Sequence, residues 1–332
     1  MNAQALRLSK SKSNPLRPFD LRRDLLPVAD LVELCFADSL DADGRLYIRQ
    51  MRQAAQGHLV DLAGAENGRG LPMSGFVWHE EGYLVGNLSL VPHRYGKRGL
   101  YLIANVAVHP DYRRRGIARA LTEAALEEVE RSDRPETWLQ VDEQNTAAVA
   151  LYRGMGFVEK ARRTSWRGWP QTGMANGQPG QFGLRLRHPA DWPTQLDWLK
   201  ASYPEEVRWQ LPLDLKLLEP GWRGALRRAF SERHIAQWSA TREGNLLGVL
   251  TWQSSTLDAD RLWLAADPEQ EEAVIPLLME QAYARLQPRR GLALNYAGGR
   301  AMKALTACGF KATRTLIWMA YPWEAAKRPG GQ

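Results

Sequence analysis

The chain repeats itself, and a repeat constrains the architecture more than any other single feature. Residues 16–20 (LRPFD) lead into LRRDLLPVADLVELCF, and residues 184–189 (LRLRHP) lead into ADWPTQLDWLKASYP. Each reads as a short strand, a turn and an amphipathic helix with apolar residues three and four apart. Residues 83–91 (YLVGNLSLV) resemble residues 245–252 (NLLGVLTW), a strand with an early glycine. VAVHP, ending at Pro110, faces LAADP, ending at Pro268. Each is a strand stopped by proline ahead of a helix. Gly156-Phe157 and Gly309-Phe310 each open a β-rich stretch. Four matches in one order, at offsets that shrink along the chain, fit two copies of one α/β unit with small deletions in the second. The segment GWPQTGMANGQPGQFG, residues 168–183, is rich in Gly, Pro, Gln and Asn and reads as a linker. The expected domains are therefore 15–170 and 182–325.

Composition agrees. A length of 332 residues suits two domains of roughly 150 residues each. Hydrophobic residues at 44% and charged residues at 24% exclude a disordered or fibrous chain. No apolar run approaches the ~18 residues of a membrane span. Cys35 and Cys308 lie far apart and build neither a disulfide framework nor a zinc ladder, so the expectation is a cytoplasmic protein without a metal. The basic, Ser-rich start lacks the apolar core of a signal peptide and reads as a tail before the first strand. The net charge of +7 favours a polyanionic ligand, either nucleic acid or a small phosphorylated molecule. No RRM, KH or helix-turn-helix pattern supports the former.

The chemistry concentrates in YLIANVAVHPDYRRRGIARALTEAALEEVE. Residues 102–108 suit a buried strand, and Pro110 ends it. A loop then carries Arg113, Arg114 and Arg115, and Gly116 opens a helix with Ile117, Leu121, Ala124 or Ala125, and Val129 at helical spacing. A helix N-terminus offers unpaired N–H groups and the positive end of a dipole, which together form an anion site. Gly116 and Ala118 leave room for a phosphate beside the backbone. The turn suits a pyrophosphate; its plain reading is a glycine-started helix with solvated arginines. It is neither GxxxxGK[ST] nor GxGxxG after a first strand, so an ATPase and a dinucleotide fold are poor fits.

Arg113-x-x-Gly116-x-Ala118 after VAVHP is followed downstream by Asn145 and AAVALYRGMGF, with Tyr152, Gly156 and Phe157. This order resembles the GNAT family of N-acetyltransferases over about residues 15–170. The second half resembles the same fold weakly, so the whole is similar to a tandem-GNAT protein. The resemblance implies an α/β chain of two GNAT-like domains, each a twisted mixed β-sheet flanked by helices, with acetyl-CoA as co-substrate. It implies that the backbone of Val106 and Val108 binds the pantetheine arm. It implies that the N–H groups of Arg114, Arg115, Gly116, Ile117 and Ala118 hold the pyrophosphate, with Arg113 adding charge. Asn145 is expected to hydrogen-bond the pantetheine and Tyr152 to protonate the departing thiolate. Asn145 also reads as a helix N-cap, and Tyr152 as a core tyrosine. The implied reaction is acetyl transfer to a primary amine of a small molecule or peptide, by direct attack in a ternary complex. Neither a membrane nor a nucleic acid is an expected partner. The rival is a non-catalytic acyl-CoA-binding sensor.

Many family members carry a glutamate on the strand before the turn, where LIANVAV has Asn105 and no acid. Asp142 and Glu143 are the alternatives, and both also read as solvated loop acids. His109 is expected to pack or to touch the cofactor, and Cys35 to be a core thiol. In the second copy, a gapless alignment from Pro110 and Pro268 sets Arg113 against Glu271, Arg114 against Glu272, Gly116 against Val274 and Ala118 against Pro276. Further on, Tyr152 faces Leu305 and Asn145 faces Gly298. Added carboxylates, bulk and a missing N–H all oppose phosphate binding, so the second copy is expected to be degenerate.

Overall fold

The computed structural model describes residues 14–40, 42–57, 74–95, 98–132, 136–169, 182–256, 258–286 and 290–323. The N-terminal tail before residue 14 and residues 170–181 of the 168–183 linker lie outside the described residues. The chain divides into two compact units, residues 1–139 with 321–332 and residues 140–320.

The first unit contains β1 (Leu16–Pro18), α1 (Leu21–Phe36), α2 (Ala42–Ala55), β2 (Gly75–Glu80), β3 (Tyr83–Tyr95), β4 (Arg98–Val108), α3 (Ile117–Glu130) and the start of β5 (Thr137–Asp142). Its strands run in the order β1-β2-β3-β4-β5. The ladders are antiparallel except that β4 and β5 are parallel. Leu25, Val28 and Val32 of α1 and Ile48 and Met51 of α2 form a core with Val77 and Ala107. Ile117, Leu121, Ala125 and Val129 of α3 are buried, as the helical spacing requires.

The second unit contains α4 (Thr146–Gly154), β6 (Val158–Gly168), β7 (Gly183–Leu186), α5 (Trp192–Ser202), α6 (Glu205–Arg208), α7 (Leu215–Leu218) and α8 (Gly221–Ala229). It continues with β8 (Ile235–Arg242), β9 (Asn245–Gln253), β10 (Ala259–Ala266), α9 (Glu271–Leu286), β11 (Gly291–Ala297), α10 (Met302–Ala307) and β12 (Phe310–Tyr321). Its strand order is β12-β6-β11-β10-β9-β8-β7. Thus α4 and β6 fall in the second unit, although the linker-based division places them in the first domain. The reason is strand pairing: β6 is antiparallel to β12 on one edge and to β11 on the other. Arg163 of β6 is 2% exposed and donates to Oδ1 and the carbonyl of Asn295 at 2.8 and 2.9 Å. Trp166 of β6 joins the large core of this unit.

The internal symmetry extends to details. The β2–β3 turn, Glu81-Gly82, has φ of +53° and +87°, and the β8–β9 turn, Glu243-Gly244, has +52° and +82°. Both are two-residue hairpin turns that need two positive φ angles. Gly86 pairs with Val108, and Gly248 with Ala266. A Cβ on Gly86 would lie 2.8 Å from Ile117 and 3.2 Å from Leu121, while one on Gly248 would lie 2.9 Å from Val274 and 3.3 Å from Leu278. Each glycine lets a helix pack onto the strand. The packing therefore equates Ile117 with Val274 and corrects the gapless alignment, because the turn is one residue shorter in the second copy. Gly116 then corresponds to Ala273 and Ala118 to Ile275.

Arg17 grips Asp24 through two 2.7 Å bonds, and Arg185 grips Asp191 in the same way. Burial alone would raise the Asp191 pKa. Donation from Arg185, the His188 N–H and the Ser239 hydroxyl outweighs it and holds the carboxyl at about 2. A depressed carboxylate stabilises the fold above its unfolded pKa, and this contribution is lost as pH falls from about 4 toward 2. Denaturant titrations across that window are expected to show Asp191→Asn less stable than wild type near neutral pH. The deficit should shrink as the pH drops, and an unchanging deficit would contradict the assignment.

Candidate active site

The β3–β4 ladder is interrupted where the cofactor strand is expected. Asn87 pairs with Ala107, but Ser89 pairs with Ala104, so Asn105 and Val106 together oppose Leu88 alone. This is a β-bulge, a device that re-aims a strand. Asn105 takes φ of +51°, a left-handed conformation that asparagine tolerates better than most residues. The parallel β4–β5 ladder runs only over Tyr101–Ile103 against Thr137–Leu139, ending before the bulge. Beyond it, the His109 N–H returns to the β3 carbonyl of Val85 at 2.8 Å. The Val108 carbonyl points elsewhere, accepting from Arg113 Nε at 3.1 Å and Cys35 Sγ at 3.3 Å. In an extended strand, backbone groups alternate in direction. Val106 and Val108 therefore share an edge that faces away from β3. Cys35 is half-buried rather than a sealed core thiol; burial raises its pKa, with Arg113 opposing the shift.

The bulge is held by polar side chains that sequence reading missed. Asn87 Nδ2 donates to the Asn105 carbonyl at 2.9 Å, and Asn105 Nδ2 donates to Tyr47 Oη at 3.1 Å and Ser89 Oγ at 3.2 Å. Asn87 and Ser89 are buried, and Asn87 Oδ1 lacks a hydrogen-bond partner among the described residues. Burial pushes the Tyr47 hydroxyl up to about 12, so it stays protonated at neutral pH; the bond from Asn105 pulls weakly the other way. Two asparagines inside the mostly apolar runs YLVGNLSLV and LYLIANVAV were the available signal.

Past a short 3-10 turn at Pro110–Tyr112, the chain reaches α3 through two left-handed residues, Arg114 at φ +63° and Gly116 at φ +82°. Gly116 is the N-cap of α3. Among the described residues no side chain caps the helix, and its first turn carries no acid. The first N–H groups of a helix have no partner within it and are suited to an anion. Space beside Gly116 is open, with nothing within 4 Å of a Cβ built there. The arginines do not act alike. Arg113 turns to the Val108 carbonyl, whereas Arg115 bonds Glu80 at 3.1 Å and lies 4.8 Å over the Tyr112 ring. Arg114 is exposed. His109 accepts the Asp111 N–H at 3.4 Å and packs edge-on against Tyr112.

Val106, Val108 and residues 113–118 are thus brought together in the first unit, while Asn145 and Tyr152 sit on α4 in the second. Asn145 is an exposed N-cap whose Oδ1 accepts the Ala148 N–H at 3.1 Å, leaving its Nδ2 as a donor. Tyr152 is buried, edge-on to Phe157 at 5.7 Å, and desolvation drives its pKa well above the usual tyrosine value. Asp142 accepts the Gln144 N–H at 2.9 Å and so shapes the turn, while Glu143 is paired with Arg162.

In the second copy the matching positions carry glutamates that are paired within the unit. Glu271 accepts from Tyr296 Oη at 2.9 Å and pairs with Arg300 at 2.6 Å. Glu272 accepts the Ala304 N–H at 2.7 Å. These glutamates fill the first turn of α9, the place where α3 is uncapped. The N-cap of α10 is Ala301, which replaces Gly298 as the counterpart of Asn145; Leu305, fully buried, stands for Tyr152.

The family model for GNAT acetyltransferases matches residues 44–157, which include the bulge, the arginine turn and Tyr152. Residues 44–157 carry the match to the GNAT acetyltransferase family. Its curated relatives include a ribosomal protein bS18-alanine N-acetyltransferase of Escherichia coli, 44% identical over 62 residues, which are 19% of this chain and 42% of that protein. A mycothiol acetyltransferase of Geodermatophilus obscurus is 33% identical over 99 residues, 29% of this chain and 32% of that protein. The chain thus spans less than half the length of these relatives. A GCN5-related N-acetyltransferase structure from Sphaerobacter thermophilus matches the fold with a TM-score of 0.53 at 13% identity, covering 93% of this chain and 96% of that one. The GNAT fold therefore accounts for nearly the whole chain, and the family model falls within the N-terminal copy.

Proposed function

We propose that the chain is an acetyl-CoA-dependent N-acetyltransferase whose N-terminal copy, within residues 15–170, binds the cofactor. Residues 182–325 form a degenerate second copy. The observation that carries the reading is the uncapped, acid-free N-terminus of α3 directly after a bulged strand. The backbone of Val106 and Val108 binds the pantetheine arm. The N–H groups of residues 114–118 bind the pyrophosphate, with Arg113 released from Val108 to add charge. Asn145 Nδ2 donates to the arm, and Tyr152 protonates the leaving thiolate.

The side chains that meet at the bulge, Tyr47, Asn87, Ser89 and Asn105, are all neutral. Neutral groups are weak bases, so the reading favours an acceptor amine that loses its proton unaided. An α-amino group, with pKa near ~7.7–8.0, is far more often free at neutral pH than a lysine, near ~10.4. A peptide or amino-acid α-amine is the acceptor class this supports, as does the relative named for an alanine of a ribosomal protein. A panel of peptide α-amines, lysine analogues and alkylamines, followed by thiol release from acetyl-CoA, tests it. The expected outcome is a preference for α-amines and a kcat/KM that rises about tenfold per pH unit below the amine pKa, then levels off. A preference for lysine-like amines, or a rise governed by a group titrating near pH 5, would contradict it.

A further inference from the structure

Helix α8 is built inside out. At about 100° per residue, Ala225, Ala229, Trp222, Leu226 and Phe230 form one continuous apolar arc, and Gly224 lies opposite. All five arc residues are exposed, and Gly224 is the buried residue of the helix. Trp222 is 73%, Leu226 51% and Phe230 84% exposed. Gly224 fits because a Cβ there would meet the Glu219 carbonyl oxygen at 1.8 Å. Arg228 anchors the helix from below, donating to the Leu217 and Glu219 carbonyls at 2.9 Å. Arg223 lies against the Trp222 ring at 5.4 Å, and Arg227 pairs with Glu219 at 2.8 Å; both border the apolar arc.

We propose that α8 is a docking ridge for an anionic membrane surface. A short helix with Trp, Leu and Phe outward and arginines along the margin has the composition of an interfacial helix. The three side chains expose roughly 400 Å² on the area scale of aromatic residues, against about 800 Å² per partner in a stable protein complex. A fluid lipid interface needs no shape complementarity, so the smaller area suffices there. A second copy is disfavoured by charge: antiparallel packing on Leu226 brings Arg223 and Arg227 of both copies together. The ridge shares no residue with the arginine turn, so it stands whether or not the proposed reaction does.

The test is co-sedimentation of the full chain with phosphatidylcholine vesicles, with and without phosphatidylglycerol. Wild type is expected to sediment with the anionic vesicles alone. Two variants, Trp222→Ser/Leu226→Ser/Phe230→Ser and Arg223→Glu/Arg227→Glu, should each reduce the bound fraction at least about tenfold. Neither set of side chains is buried, so both variants should keep the wild-type circular dichroism and acetyl-CoA binding. Wild type staying in the supernatant, equal binding to neutral vesicles, or undiminished binding by the serine variant would overturn the proposal. So would a dimer in light scattering that the serine variant abolishes, because the ridge would then be a contact between copies.

Discussion

Tyr152→Phe is expected to lower turnover by about 100- to 10,000-fold, the usual range for losing a general acid, with acetyl-CoA affinity unchanged. Burial raises the tyrosine pKa, so the hydroxyl keeps its proton at neutral pH and has one to give. Phenylalanine keeps the ring that packs edge-on against Phe157, so the α4 surface survives. The loss should appear in single-turnover rates, where chemistry is isolated from product release. It should be smaller for acyl donors whose leaving thiol is more acidic, since such thiolates need less help. An unchanged single-turnover rate would remove Tyr152 from the mechanism and leave it a core residue.

Gly116→Glu is expected to abolish measurable acetyl-CoA binding. The variant sets a carboxylate at the open N-terminus of α3, where the proposed pyrophosphate lies. One lost charge-assisted contact costs about 1.5–3 kcal/mol, or roughly ten- to over a hundredfold in affinity. Repulsion adds to this. The φ of +82° imposes strain on any side chain, so Gly116→Asn is the control: asparagine tolerates left-handed backbone and carries no charge. Nothing lies within 4 Å of the new Cβ, so steric damage is not expected. Calorimetry should show weak or absent binding for the glutamate variant and largely retained binding for asparagine. Equal affinities for both would mean that the pyrophosphate does not sit at this helix end.

Much of this was legible because it is local. The arginine turn and the glycine start of α3 declare themselves within six residues, and the duplicated strand–helix starts share an Arg–Asp grip that either half forms alone. The two Glu-Gly turns were also there to be read, in EEGY and REGN. Other features depend on pairing across long stretches of chain. No residue of β6 announces that it lies between β11 and β12. The bulge rests on Asn87 and Asn105, which are 18 residues apart and meaningful only as a pair. The missing residue before α9 was hidden because isoleucine and valine are both good core residues, and only packing on Gly248 fixes the register. The three arginines look alike in sequence. Their separate partners, Val108 for Arg113 and Glu80 for Arg115, follow from the folded turn.

In the proposed function one copy binds the cofactor and the other has closed its site. In the first copy the helix end is uncapped; in the second, Glu271 and Glu272 occupy the corresponding turn and are spent on Arg300, Tyr296 and the Ala304 N–H. The most direct measurement is the acetyl-CoA stoichiometry of the full chain by native mass spectrometry, on wild type and Gly116→Glu side by side. The account predicts one acetyl-CoA per wild-type chain and none on the variant. Two per wild-type chain, or one retained by the variant, would contradict it.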